Sequence, residues 1–128
     1  MIKTGYLLFL LLIFYSATYG CANQKILHPS PKIGFDINAL DKEGLVGEPG
    51  GKVAIDYEFC IPAETRYMNE ILKIDPSIRV QKKAKGRIAC SKTEWLCLGN
   101  NHQEYSRRKI QLIAEFSFIK RIERSYFE

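Results

Sequence analysis

Histidine is nearly absent from this chain. Its 128 residues include only His28 and His102, too few for the His-rich ligand sets of common zinc and copper centres. Long hydrophobic runs are absent too. The one marked apolar stretch, YLLFLLLIFY at 6–15, has ten residues, and a helix crossing a bilayer needs ~20. There is no internal repeat, no low-complexity tract and no recognisable oxyanion-hole or nucleophile motif, so an enzymatic role has no motif behind it. Acid is scarce in the second half. Residues 76–128 hold twelve Lys/Arg against five Asp/Glu, whereas residues 22–75 hold six against nine. A half this basic suits phosphates, anionic lipid headgroups or an acidic partner, although the same charge also serves a plain solvated surface.

What is present begins with an address. MIKTG carries one lysine, the apolar run follows, and SATYG comes next: the n-, h- and c-region order of a secretory signal over 1–20. The segment Thr18-Tyr19-Gly20-Cys21 resembles, in part, the lipobox of bacterial lipoproteins. Gly20 fits the small residue before the cysteine, while Tyr19 and Thr18 depart from the usual pattern. The resemblance implies lipidation of Cys21 and a protein held on a membrane of the cell envelope. Ordinary signal cleavage around Gly20-Cys21-Ala22 would instead release it as a secreted or periplasmic protein. Either way nucleic acid is not an expected partner, since exported proteins rarely meet it.

Residues 21–52 read as a tether. Pro29, Pro31 and Pro49 interrupt helices, and Gly44, Gly47, Gly50 and Gly51 loosen the backbone; within it, KIGFDINAL has apolar character that could pack on the domain. From Val53 the pattern sharpens. In VAIDYEFCI, Val53, Ile55, Tyr57, Phe59 and Ile61 share one face, predicting a half-buried strand. Residues 64–74 place Tyr67, Met68, Ile71 and Leu72 at helical spacing, and Asp75-Pro76 stops that helix. Ile78–Gln81 predicts a short strand, and RIAC with EWLCL (87–98) a third, interrupted at 91–93. A second helix is expected over 103–116, capped by Asn100 or Asn101, with Tyr105, Ile110, Leu112, Ile113 and Phe116 near one face. Residues 119–127 predict a charged last strand, and charge is one protection for a sheet edge.

This order is βαββαβ across 53–128. It resembles the ferredoxin-like plait, an α+β fold with an antiparallel sheet and two helices on one face. The resemblance implies strand order 4-1-3-2 and no particular function. The tail at 113–128 is loosely similar to the endings of plait-type protease propeptides and inhibitors.

Four cysteines remain to be placed: Cys21, Cys60, Cys90 and Cys97. In a plait the end of the first strand meets the start of the third, which favours a Cys60–Cys90 disulfide; Cys90–Cys97 is the competing pair. The third thiol is then either buried or reactive. Cys90, Cys97 and His102 could form a metal or thiol-enzyme site, but C-x6-C-x4-H is no short zinc motif. No cofactor and no metal are expected. Lys82, Lys83, Lys85 and Arg87 form a basic turn able to touch anionic headgroups or an acidic protein. Ser91-x-x-Glu94 matches a helix capping box, and Trp95 is expected to pack in the sheet. The favoured function is a non-enzymatic binding, structural or inhibitory module of the envelope. A small thiol or metal-dependent enzyme and a basic lipid-binding domain are the alternatives.

Overall fold

The alternation from Ile55 to Ile61 places a strand in the middle of a sheet. The structure, a computed structural model, describes residues 28–126; the signal segment and Cys21 lie outside the described residues. A 3-10 turn at Ile37–Ala39 comes first. The elements then follow as β1 (Leu45–Val46), β2 (Val53–Ala54), β3 (Asp56–Pro62), α1 (Thr65–Ile74), β4 (Arg79–Gln81), β5 (Glu94–Asn100), α2 (Ser106–Glu115) and β6 (Ile122–Ser125). The fold is α+β, with a four-stranded antiparallel sheet in the order β4-β5-β3-β6 and a separate β1-β2 hairpin. Among the described residues, no helix is long and apolar enough to cross a membrane.

One sheet face carries Tyr57, Phe59, Ile61 and Cys97, all fully buried. Both helices cover it, α1 through Ile71 and α2 through Ile110, Ile113 and Ala114, in one continuous core. Burial rather than helix propensity holds these short helices in place. The expected strand boundary moves. Val53 is not part of the inward face; it is 53% exposed and pairs with Val46 in the hairpin.

The tether expectation fails over its later part. Ile33, Ile37 and Leu40 are all buried in the core. Asp36 starts the 3-10 turn by accepting the Asn38 N–H at 2.9 Å. Asp41 accepts the amides of Glu43 and Leu45 and the Lys52 ammonium at 2.8 Å, so it organises the hairpin base. The Lys52 bond leads the causes that bring its carboxyl down to about 2. Ile33 forms a parallel bridge with Ile122, the Gly34 amide donates to Ile122 O, and Ile122 N–H donates to Lys32 O, both at 2.8 Å. The segment before the hairpin thus covers the outer edge of β6, which the sequence leaves to charge alone. Prolines and glycines here turn the chain around the core rather than freeing it from it.

Other boundaries differ for local reasons. The third strand starts only at Glu94, because residues 87–90 leave the sheet. The last strand is confined to Ile122–Ser125. Helix α2 begins at Ser106 behind Tyr105, whose backbone is left-handed (φ 60°). Neither asparagine caps it. Asn100 accepts the His102 amide, and the fully buried Asn101 side chain has no hydrogen-bond partner. Tyr105 is 74% exposed and does not join the helix core.

Gly99 stands opposite Tyr57 in the register of β3 and β5, and a Cβ there would collide with the tyrosine ring. The missing side chain is what lets Tyr57 lie across the neighbouring strand. Its hydroxyl makes no well-formed hydrogen bond, although the Asp75 carboxylate lies close to it. Burial first, and then the charge of nearby Asp75, push the Tyr57 phenol above its usual range. Gly99→Ala is expected to cost about 1–3 kcal/mol by overpacking. Tyr57→Phe, which removes a hydroxyl without a well-formed hydrogen bond, is expected to be neutral or stabilising. Urea denaturation of the two variants checks both; an unaffected Gly99→Ala would mean that the ring does not need that space.

Candidate functional site

The basic turn is built from β4 outward. After Gln81 the chain carries Lys82 and Lys83, then reverses at Gly86 (φ 65°), where a Cβ would press on Leu96 and on the Glu58 carboxylate. Only glycine fits such an approach without strain. The chain then crosses the sheet face that the helices leave open. Ile88 and Cys90 bury against Leu96 and Leu98, with Cys60 and Ala84 beside them, forming a second small core.

Three ties hold this crossing in place. Cys60 and Cys90 form a disulfide, with 5.6 Å between their Cα atoms. The Ile88 amide donates to Glu58 Oε1 at 2.6 Å, and Arg121 Nη2 donates to Ile88 O at 2.7 Å. Glu58 is a buried carboxylate, and the Ile88 amide together with a long contact from Ser125 Oγ at 3.5 Å supplies partners for its oxygens. Partners of this kind offset the cost of burying a polar group. Segment 82–93 carries five cations and no acid. Lys82, Lys83, Lys85 and Arg87 are all exposed, and Lys82 Nζ lies 4.4 Å from the centroid of the half-buried Trp95 ring.

The Cys60–Cys90 pairing expected from the sequence is the one present, by a different route. Cys90 is not on the third strand, and Cys60 stands opposite Leu96 in the register. The bond reaches from the strand to the loop lying over it. Ser91 and Glu94 make half of the capping-box contact: the Ser91 amide donates to Glu94 Oε1 at 2.9 Å, but the Glu94 amide donates to Ser91 O rather than to its hydroxyl. The contact closes a turn into β5, not a helix. The Ser91 amide is also the leading cause that holds the Glu94 carboxyl below the usual range.

Cys90, Cys97 and His102 do not come together. Cys90 is bonded to Cys60 on the open face, Cys97 lies in the helix-covered core, and His102 is exposed beyond the end of β5. Among the described residues, no cluster of three His, Cys, Asp or Glu side chains could hold a metal. Burial pushes the Cys97 thiol up to about 12, which keeps it protonated and unreactive. In a Cys21→Ser chain, Ellman's reagent is expected to find no thiol in the native state at about pH 8 and one after denaturation. Rapid native labelling would overturn the buried assignment.

Sequence reasoning missed Lys92, Lys120 and Arg121. Lys92 belongs to the same loop as Lys82, whereas Lys120 and Arg121 are distant in the chain and come to the same end of the sheet only through strand pairing, at its opposite edge. Lys120 and Arg121 border a hollow of about 170 Å³ beside Cys60, Ile88, Ala89 and Glu94. A larger open groove of about 520 Å³ lies at the other end of the molecule, between residues 41–43 and the start of α2. Its wall mixes both charges, with Lys42, Arg107 and Arg108 against Asp41, Glu43 and Glu104. No family model, curated protein or solved structure matches the chain.

Proposed function

We propose that this is an exported cell-envelope protein, anchored through Cys21, whose folded part is a non-enzymatic binding module of the ferredoxin-like plait. The strand order β4-β5-β3-β6, with one helix between β3 and β4 and another between β5 and β6, supports the plait reading. The Cys60–Cys90 disulfide supports an oxidising compartment.

The observation that carries the binding role is the fixed basic loop. A solvated turn needs no internal support, yet this one is bonded, buried beneath and hydrogen-bonded at its centre while its cations stay exposed. Pre-ordering of this kind removes much of the entropy cost of binding. The reading gives no residue a catalytic part.

Intact mass of the protein recovered from cell membranes tests the anchor and the bond together. A diacylated N-terminal cysteine and an oxidised Cys60–Cys90 pair are expected. Recovery from the cytosol with Met1 attached and reduced thiols would overturn the proposal.

A further inference from the structure

The register of the sheet gathers scattered cations at one end. Pro62, the last residue of β3, stands opposite Glu94, the first of β5, and Ile122 at the start of β6 stands opposite Phe59. Gln81 at the end of β4 pairs with Leu96, near the start of β5. Lys82, Lys83, Lys92, Lys120 and Arg121 therefore all lie at the end where β3 and β4 finish and β5 and β6 begin, and all are exposed. Four carboxylates lie at or beside that end. Glu64 is held by Arg66, Glu94 by Ser91 and by Lys120 at 3.7 Å, Glu123 lies 3.9 Å from Arg121, and Glu115 closes α2.

Aromatic side chains stand among these charges. Phe118 packs on both Phe116 and Tyr67 with ring centroids 4.8 and 4.7 Å away, and Arg66 lies over the Tyr67 ring. All three rings are half-buried. Rings with an apolar body and cations beside them suit the headgroup layer of a membrane.

The N-terminal chain passes this end in a turn. Ile33 bridges Ile122 at the start of β6 and its amide donates to Ser30 O, so the chain before it bends back along α2. Lys32 Nζ donates to Phe116 O at 2.9 Å, and the Ser30 amide donates to Gln111 Oε1 at 3.0 Å. Cys21 is nine residues before Ser30, a reach of at most about 30 Å for extended chain.

We infer that this end of the sheet docks on an anionic lipid bilayer, kept within reach of it by the anchor at Cys21. The inference rests on the proposed anchoring only for that proximity; charge and aromatic placement carry the surface itself. Each basic residue near an anionic membrane contributes about fivefold in affinity, and salt screens the attraction.

The test uses the chain from Ala22 onward, which contains the whole described core and no lipid. It is expected to sediment with phosphatidylcholine vesicles containing phosphatidylglycerol, less so at high salt, and not with phosphatidylcholine alone. Replacing Lys82, Lys83, Lys92 and Lys120 together with Ser is expected to weaken binding several-hundred-fold, at about fivefold each. Replacing Lys42, Arg107 and Arg108 at the other end is expected to leave it essentially unchanged. Circular dichroism confirms that both variants fold. Equal loss in the two variants, or no vesicle binding, overturns the surface. Salt-sensitive binding to a polyglutamate peptide without vesicle binding also overturns it, in favour of an acidic protein partner. An unlipidated native Cys21 would remove the anchor yet leave a positive vesicle result standing, so the two failures are distinguishable.

Discussion

Replacing Ile37 and Leu40 together with Ala is expected to abolish cooperative folding near room temperature. Both side chains are buried, at 0% and 2% exposure, and both belong to the main core. Each truncation removes apolar contact and leaves a cavity, at about 2–5 kcal/mol per site. A domain of this size has only about 5–15 kcal/mol to lose. The segment cannot collapse into the gaps easily, because it is fixed on both sides. Its upstream part is bridged to β6 through Ile33, and its downstream part is closed by Asp41 on the hairpin. Urea denaturation followed by circular dichroism measures the effect. A variant that melts like the parent would mean that residues 28–46 are the loose tether their composition suggests.

That composition explains where sequence reading stops. Pro29, Pro31, Pro49 and the glycines around them carry a strong local signal, and local signals cannot say whether a turning chain turns around something. Ile33, Ile37 and Leu40 do have helical spacing. They are too few to form a helix long enough to be read as one, and their partners lie dozens of residues away. β3 was legible because its apolar period of two is unbroken; the burial of Glu58 on its other face was not, since the loop that covers it comes from residues 84–90. The helix starts were less so. Asn100 and Asn101 look like caps, but the chain needs four more residues to come round from the end of β5, and Tyr105 takes the left-handed position instead. RIAC reads as a strand because its side chains are apolar enough. What removes it from the sheet is Gly86, where the backbone reverses, and the partners waiting on the open face, Glu58 above all. The basic site was half legible for the same reason. Lys82 and Lys83 are neighbours in sequence, whereas Lys120 and Arg121 join them only through strand pairing.

Removing the Cys60–Cys90 bond is expected to cost about 3–4 kcal/mol, the loop-closure value for the 30-residue separation of its ends. For a domain of roughly this size the melting temperature should fall by roughly 15–25 °C. Replacing both cysteines with Ala is the suitable change, since Cys90 is 2% exposed and a hydroxyl there would be buried without a designed partner. Treating the parent protein with a reductant should reproduce the shift without any substitution. The loop is expected to loosen rather than detach, because Ile88 keeps its bonds to Glu58 and Arg121. Hydrogen exchange at the Ile88 amide should therefore accelerate in the reduced protein while the amides of β3 and β5 stay protected. If the reductant leaves both melting and exchange unchanged, the Glu58 and Arg121 contacts alone fix the loop. Its cations would then be equally well ordered with the bond reduced.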